Sequence, residues 1–243
     1  MFSIFKKSNP KLFELIPQGS TDIHSHILPG IDDGAKNIQD SIGIISQMKK
    51  IGFKKIIATP HTYPGLYENT SQSIKSSYIS LKKDLKTKIN IDYASEYMMD
   101  FYLIKKAKEK SLFTLKNNYV LVEMSFISAP KNLYDILFQI QVEGYIPVLA
   151  HPERYRFLFN NFKEFFRLKE VGCMFQLNLL SVVNFYGNDI VKFSDKLLEN
   201  NLIDFVGSDI HNLSQLDFFK EKIRIKKIKE LSQAISNNNL FED

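Results

Sequence analysis

The chain is short of cysteine, glycine and proline, and each shortage excludes a class of protein. Its one cysteine, Cys173, cannot form an intrachain disulfide or a cysteine-based zinc cluster, which favours a reducing compartment. Ten glycines and eight prolines in 243 residues are too few for a collagen-like or low-complexity chain. Because phenylalanine and tyrosine are plentiful, with 20 and 11 copies, we do not expect a disordered chain.

Long apolar runs are also missing. No stretch approaches the roughly 18 residues that a membrane-spanning helix needs. Residues 1–18 lack the apolar core of a signal peptide. We therefore expect a cytoplasmic protein that does not insert into a membrane.

Arginine is scarce although the chain is basic. The formal net charge is +5, yet only four of the 32 basic residues are arginines, namely Arg154, Arg156, Arg167 and Arg224. The charge mildly favours acidic partners such as phosphates. Because no stripes of basic and aromatic residues accompany it, we expect no nucleic-acid partner and disfavour a nuclease or polymerase-associated role.

Short β-like runs alternate with amphipathic helical patterns along the chain. The helical patterns predict N-caps at Asn37 and Thr70 and a last helix over residues 220–230, carrying Ile223, Ile225 and Ile228. The predicted strands cover residues 21–26, 55–59, 89–95, 119–124, 146–150, 174–179 and 204–207.

Seven strand–helix repeats without a flexible linker predict an α/β protein with parallel strands and helical crossovers. We expect a single domain over residues 1–243, with residues 1–19 as an N-terminal extension that forms a short helix capping the barrel. The pattern leaves two architectures open, a closed barrel related to the TIM barrel and an open doubly wound sheet.

The five histidines share one position in this pattern. Each lies at the carboxyl end of a predicted strand or directly after it: His24, His26, His61, His151 and His211. Active sites of barrel enzymes lie at that face. A lone histidine is usually a satisfied core residue, but five at the same end of different strands favour a shared site.

Carboxylates occupy equivalent positions. Strand side chains alternate between faces, so His24 and His26 point the same way, as do Asp209 and His211. The other acidic candidates are Glu96, Glu123 and one of the pair Asp32 and Asp33. Buried carboxylates are costly unless they are paired or bind a metal.

These nine nitrogen and oxygen ligands exceed the four or so that one catalytic zinc uses. They predict two or three divalent ions, and the ligand types leave manganese, iron and zinc open. Such a pocket favours a phosphate dianion.

Five segments of the chain resemble the PHP (polymerase and histidinol phosphatase) superfamily. Within it, they are most similar to the bacterial manganese-dependent tyrosine phosphatases of capsule and exopolysaccharide systems, the CpsB/CapC type. The segments are Asp22-Ile-His-Ser-His-Ile-Leu-Pro-Gly-Ile-Asp-Asp-Gly, Ala58-Thr-Pro-His-Thr-Tyr-Pro, Ser95-Glu-Tyr, Ala150-His-Pro-Glu-Arg-Tyr and Gly207-Ser-Asp-Ile-His-Asn.

The resemblance implies a distorted TIM-like (β/α)7 barrel, the PHP fold, with a trinuclear site that holds manganese. It assigns Arg154, Asp33 and His211 to catalysis, with Arg154 as the phosphate clamp. It also implies a substrate, phosphotyrosine in a protein tail, and a partner, a bacterial tyrosine kinase. The implied ligands are His24, His26, Glu96 and Asp209 for the first ion, Glu96, Glu123 and His151 for the second, and Asp33, His61 and His211 for the third.

Several alternatives remain at this stage. The same metals would serve a small-molecule phosphatase, for example on histidinol phosphate, and a non-catalytic regulatory barrel is a further possibility. Arg154 could instead form a structural ion pair with Glu153 or Glu170. Residues 212–219 lack the basic residue that some capsule phosphatases carry there. Cys173 lacks a basic phosphate loop, which predicts a packed core thiol.

Overall fold

The computed structural model describes residues 8–242, which form nine short strands and eight α-helices. The strands are β1 (Ser20–Asp22), β2 (Phe53–Ala58), β3 (His61–Thr62), β4 (Asn90–Tyr93), β5 (Glu96–Met98), β6 (Tyr119–Glu123), β7 (Ile146–Ala150), β8 (Met174–Asn178) and β9 (Phe205–Gly207). The helices are α1 (Ile38–Ile51), α2 (Ser71–Asp84), α3 (Phe101–Lys108), α4 (Leu133–Val142), α5 (Lys163–Glu170), α6 (Asn188–Glu199), α7 (Leu213–Leu216) and α8 (Ile228–Asn237).

All strand pairs are parallel, as predicted, and they form two sheets. The orders are β1-β2-β4 and β3-β5-β6-β7-β8-β9. After two-residue interruptions, β2 continues as β3 and β4 continues as β5. One interruption contains Pro60, which has no backbone N–H to donate, although its carbonyl accepts from the Glu96 N–H at 3.1 Å. Each of the seven predicted strands therefore coincides with a strand, but β3 and β5 lie beyond the predicted ends, and β1 covers only part of the predicted residues 21–26.

Backbone hydrogen bonds bring the first and last strand positions together. The Asp209 N–H donates to the His24 carbonyl at 2.7 Å, and the His26 N–H donates to the Ile210 carbonyl at 2.9 Å. A parallel bridge joins Ser25 to Ile210 between them. Apart from this bridge, no ladder of hydrogen bonds joins β1 to β9 in the described residues, so the ring is irregular. The fold is thus the distorted barrel and not an open doubly wound sheet.

The predicted caps of the first two long helices are confirmed. The Asn37 side chain accepts a hydrogen bond from the Asp40 N–H at 3.0 Å, and Thr70 Oγ1 accepts one from the Ser73 N–H at 3.1 Å. Each bond satisfies a backbone donor that the first helical turn leaves free. None of the helices in residues 8–242 has the length and apolar character needed to cross a bilayer.

The predicted last helix over residues 220–230 is wrong. Ile223 and Ile225 are buried, whereas Lys222 and Arg224 between and beside them are exposed, which is the period-two pattern of an extended segment. The helix α8 begins at Ile228 instead. The two isoleucines anchor this segment in the core rather than marking a helical face.

The described part of the N-terminal extension contains a short 3-10 helix, Leu12–Leu15. The Leu12 N–H donates to the Glu221 carbonyl at 3.0 Å, and the Ile223 N–H donates to the Pro10 carbonyl at 3.0 Å. The extension is therefore attached to the extended segment that precedes α8. Residues 1–7 of the predicted extension lie outside the described residues.

Apolar side chains fill the space beneath the site. Ile23, Ile57, Ala94, Leu121 and Val148, contributed by successive strand positions, form one buried cluster. Residues two apart on a strand face the same way. Glu123, the last residue of β6, therefore lies on the same face of the strand as Leu121. This arrangement places polar residues at the carboxyl end of the barrel, above an apolar plug.

Candidate metal centre

All nine predicted ligands converge at the carboxyl ends of the strand positions. Each belongs to at least one cluster of histidine and carboxylate side chains whose ligand atoms lie within 4.8 Å of one another. Within the described residues, these clusters are His24, His26 and Glu96; His24, His151 and Asp209; His61, Glu96 and Glu123; and His26, Asp33, His61 and His211.

The most deeply buried donors surround one point. His24 Nε2 lies 3.2 Å from His26 Nε2 and 3.2 Å from Glu96 Oε2. Asp209 Oδ1 lies 3.4 Å from His24 Nε2 and 3.3 Å from His26 Nε2, and Glu96 Oε2 lies 3.5 Å from His26 Nε2. Tetrahedral ligands at typical metal distances are about 3.3–3.6 Å apart. These five distances are therefore close to the spacing between neighbouring ligands of one ion.

Glu96 contacts donors on both sides. Its Oε2 atom lies 3.1 Å from His61 Nδ1 as well as near His24, and its Oε1 atom lies 3.1 Å from His151 Nε2. Glu96 is the first residue of β5, not the end of the preceding strand piece, and it pairs with His61 in the parallel ladder. A carboxylate with donors around both oxygens can bridge two ions.

Three of the remaining predicted ligands, Asp33, His61 and His211, lie nearer the solvent. Asp33 Oδ1 lies 3.6 Å from His61 Nε2 and 3.4 Å from His211 Nε2, and the Asp33 side chain is 49% exposed. His61 also reaches Glu123, because its Nδ1 lies 2.9 Å from Glu123 Oε1. His61 thus stands between two donor clusters, and the division of ligands among individual ions stays a prediction.

Hydrogen bonds to the second ring nitrogens orient three of the histidines. His24 Nδ1 donates to Gln176 Oε1 at 2.6 Å, and His26 Nδ1 donates to Asp32 Oδ2 at 2.8 Å. His211 Nδ1 donates to a backbone carbonyl, that of Asp209, at 2.9 Å. Each bond leaves the Nε2 lone pair available, as a metal-binding imidazole requires. Asp32 therefore orients a ligand while its neighbour, Asp33, faces the donors.

Gln176 was not among the predicted site residues. It is a fully buried polar residue on strand β8, which also contains the buried Asn178, and its Nε2 donates to the Leu177 carbonyl at 2.8 Å. That contact fixes the orientation of the amide, so Oε1 faces the histidine. The sequence signal for this role was a glutamine in the middle of a predicted strand, residues 174–179.

Two ligands occupy a backbone conformation that favours glycine. His151 has φ of 38° and Asp209 has φ of 51°, both in the left-handed region. Such a conformation costs roughly 1–2 kcal/mol for a residue with a side chain. The surrounding contacts hold it, for example the hydrogen bond from the His151 N–H to the Gln176 carbonyl at 2.8 Å. Strain of this kind is typical of functional sites.

Opposite charges dominate the electrostatics of the centre. Burial alone would raise the pKa of Glu96, but His24 and His61 outweigh it and hold that pKa well below its ordinary value. Burial opposes protonation of His61, yet Glu96 and its neighbours raise the pKa of His61 to about 10. Burial and then the Arg154 charge lower the pKa of His151 to about 4, so this imidazole is neutral at pH 7. The Glu96 carboxylate is therefore ionised, and positive charge from its neighbours compensates it.

The donor set fits divalent metal ions. Glu96 Oε2 and His61 Nδ1 are buried atoms without a hydrogen bond among the described residues, although other donors lie close to them. Buried polar atoms without a hydrogen bond are costly, and a cation at their shared centre would satisfy them. Nitrogen and carboxylate ligands without thiolate suit manganese, iron or zinc.

Arg154 adjoins the metal centre. Its Nη1 donates to Asp209 Oδ2 at 2.8 Å, so its ion-pair partner is a predicted ligand and neither Glu153 nor Glu170. Glu153 instead accepts hydrogen bonds from the Asn178 N–H at 3.1 Å and Ser181 Oγ at 2.6 Å. The guanidinium is therefore placed where an anion bound to the centre would meet it.

Cys173 lies away from this chemistry. It is buried in an apolar cluster, and burial raises the pKa of its thiol to about 12. A thiol in this environment is not a nucleophile at neutral pH. The structure agrees with the prediction of a packed core thiol.

The ring of parallel strands and the histidine–carboxylate centre at its carboxyl end define a metal-binding α/β barrel of the PHP type. A structure described as that of unique metal-dependent tyrosine phosphatases, YwqE from Bacillus subtilis and CpsB from Streptococcus pneumoniae, matches it with a TM-score of 0.77 and 30% identity. The match covers 92% of this chain and 88% of that one. An amidohydrolase from Mycoplasma synoviae, 12% identical over 97% of this chain and 91% of its own, shares the fold with a TM-score of 0.54.

The chain belongs to the CpsB/CapC family of capsular polysaccharide synthesis, whose model matches residues 20–236. It is 34% identical over 205 residues to the tyrosine-protein phosphatase YwqE of Bacillus subtilis strain 168, covering 83% of this chain and 81% of the relative. It is 31% identical over 228 residues to the tyrosine-protein phosphatase CpsB of Streptococcus pneumoniae, covering 86% and 93%. The family predicted from the five motifs is confirmed.

Proposed function

We propose that this protein is a metal-dependent protein-tyrosine phosphatase of capsule or exopolysaccharide synthesis. The observation that carries the proposal is the convergence of nine nitrogen- and oxygen-donor side chains beside a guanidinium. The names of the relatives favour phosphotyrosine over histidinol phosphate as the substrate. No observation favours a non-catalytic barrel, because every predicted ligand position is filled by a donor residue.

We assign the ligands to two or three divalent ions, with manganese as the natural metal. When bound, the ions would activate water and neutralise phosphate charge. His24, His26, Glu96 and Asp209 would hold the buried position, and the other predicted ligands would hold the rest. The buried donors are preorganised by Gln176 and neighbouring hydrogen bonds, so little rearrangement is needed on binding.

Asp33, His61 and His211 form the side of the centre that the substrate reaches first. Their side chains are the most exposed of the nine. Burial would raise the pKa of Asp33, but a hydrogen bond and charge from His211 lower it to about 2, so this carboxylate is ionised at neutral pH. We assign Asp33 and His211 to the reacting end of the centre on this basis.

Arg154 would bind the phosphate through guanidinium N–H groups not used by Asp209. A guanidinium can make paired contacts to phosphate oxygens, which an ammonium cannot. Phenolate is a fair leaving group, so tyrosine esters need no strong general acid. Residues 212–219 contain no basic residue. Within the described residues, Arg154 is therefore the arginine that contacts a predicted ligand.

We further propose the biological setting. The substrate would be a phosphotyrosine-containing tail of a bacterial tyrosine kinase, which a chain of net charge +5 can attract electrostatically. We place the reaction in the cytoplasm, and we regard residues 1–243 as a single PHP domain with residues 1–19 as its extension.

A substrate comparison tests the function. The manganese-loaded protein is assayed on a phosphotyrosine peptide, on the matched phosphoserine peptide and on histidinol phosphate, before and after EDTA treatment. We expect hydrolysis of the phosphotyrosine peptide, its loss with EDTA and its recovery with manganese. Asp209→Asn should abolish it, whereas the exposed Asp217→Asn serves as the matched control. Preferential hydrolysis of histidinol phosphate, or activity that survives complete metal removal, would overturn the proposal.

A further inference from the structure

The Arg154 guanidinium lies over two aromatic rings. Its Cζ atom is 4.6 Å from the Phe126 ring centroid and 4.3 Å from the Tyr186 ring centroid. Phe126 follows β6 and is 47% exposed, so it forms the outer wall, while Tyr186 is more buried and forms the inner one. Guanidinium groups are attracted to the faces of aromatic rings.

The inner ring is firmly held. Asn178 Nδ2 donates to the Tyr186 hydroxyl at 3.0 Å, and the Phe185 ring packs edge-on against Tyr186 at 4.7 Å. Burial raises the pKa of Tyr186 above its ordinary value, so its hydroxyl stays neutral. Tyr186 can therefore act as a rigid back wall for the guanidinium.

The contacts close into a ring of four side chains that includes a predicted metal ligand. Asp209 Oδ2 accepts hydrogen bonds from Arg154 Nη1 at 2.8 Å and from Asn178 Nδ2 at 2.8 Å. Asn178 in turn holds Tyr186, which stacks on Arg154. The opposite oxygen, Asp209 Oδ1, faces the histidines of the metal centre. The position of the guanidinium is thus coupled to the centre itself.

We propose that Phe126 and Tyr186 are positioning residues that hold the Arg154 guanidinium in one plane, so that its unshared N–H groups are preorganised for the substrate phosphate. The inference rests on the proposed function for the identity of the anion. Both rings contact the guanidinium, and Asp209 holds one of its nitrogens. The N–H groups that Asp209 does not use are left for an anion, and a phosphate accepts in the plane of the guanidinium.

A spectroscopic experiment tests the positioning without any turnover. The chain has only four arginines, so a protein labelled with ¹⁵N-arginine has a simple guanidinium spectrum. We expect slow rotation about the Arg154 Nε–Cζ bond in the metal-free wild type and faster rotation in Phe126→Leu and Tyr186→Leu. Phe126→Tyr should restore the slow rotation because it restores a ring. Phe138→Leu on α4, where Phe138 is 61% exposed, is the matched control.

A double-mutant cycle then tests the consequence for binding. Inhibition by inorganic phosphate is measured for the manganese-loaded wild type, Phe126→Leu, Arg154→Ala and the double variant, with metal content determined in each. Phe126→Leu should weaken phosphate inhibition roughly 3- to 10-fold, in the range of a partly exposed cation–π contact. It should have no further effect in the Arg154→Ala background, because Phe126 acts through Arg154.

The outcomes separate this inference from the proposed function. Unchanged Arg154 rotation in both leucine variants, or an equal effect of Phe126→Leu with and without Arg154, would overturn the positioning role. In either case hydrolysis of phosphotyrosine by the wild type would leave the proposed function intact. Conversely, a wild type that binds phosphate through a held Arg154 but hydrolyses no aryl phosphate would refute the function and retain the positioning role.

Discussion

Glu96 provides the sharpest test of the metal centre, because one carboxylate serves two donor clusters. The substitution Glu96→Gln keeps the shape of the side chain and removes its negative charge. In the structure Oε2 lies within 3.5 Å of His24, His26 and His61, and Oε1 lies 3.1 Å from His151. A bridging role therefore predicts the loss of more than one equivalent of metal.

The expected magnitude follows from the two positions affected. A contact to a charged group contributes roughly 1.5–3 kcal/mol. Because 1.4 kcal/mol is a factor of ten, binding at each of two positions should weaken by about 10- to 150-fold. Glu123→Gln is the matched control, because Glu123 belongs to one donor cluster and Glu96 to two.

Elemental analysis after equilibrium dialysis against manganese measures the result, and circular dichroism verifies that both variants fold. We expect Glu96→Gln to lose more than one equivalent at metal concentrations that saturate the wild type, and Glu123→Gln to lose about one. Equal losses from the two variants would refute the bridge while leaving the centre in place. Full metal content in Glu96→Gln would refute the assignment of Glu96 as a ligand.

Three other predictions follow from the site and the core. Arg154→Ala should lower kcat/KM on a phosphotyrosine peptide about 10- to 150-fold. Its metal content should not change, because Asp209 keeps its hydrogen bond from Asn178. Arg154→Lys should recover part of the lost activity, and wild-type kinetics in Arg154→Ala would make the residue structural. Gln176→Ala should weaken metal binding about 10- to 100-fold, measured by competition with a chelating dye, because His24 loses the bond that orients it; unchanged affinity would contradict that role. The Cys173 thiol should resist a thiol reagent at pH 8 until the protein is unfolded, because burial raises its pKa to about 12. Cys173→Ala should keep full activity. Rapid labelling of the native protein or an inactive variant would count against a core thiol.

The barrel and the convergence of its donor side chains were predictable for a simple reason. Strand periodicity places residues two apart on one face, and parallel strands connected by helices bring their carboxyl ends to one rim. His24, His26, Glu123 and Asp209 needed no further information than their place in that pattern. The last helix was mispredicted because Ile223, Ile225 and Ile228 were read together, although the first two are spaced as in an extended segment.

The amino-acid sequence by itself determined the strand–helix order, the set of nine donors and the family, because local periodicity and motif spacing are properties of neighbouring residues. Tertiary structure alone decided the contacts between distant segments. It selected Asp209 as the partner of Arg154, assigned Gln176 to His24, and brought the guanidinium over the rings of Phe126 and Tyr186. These partners lie far apart in the chain, and they meet only because the barrel brings separate loops to the same rim.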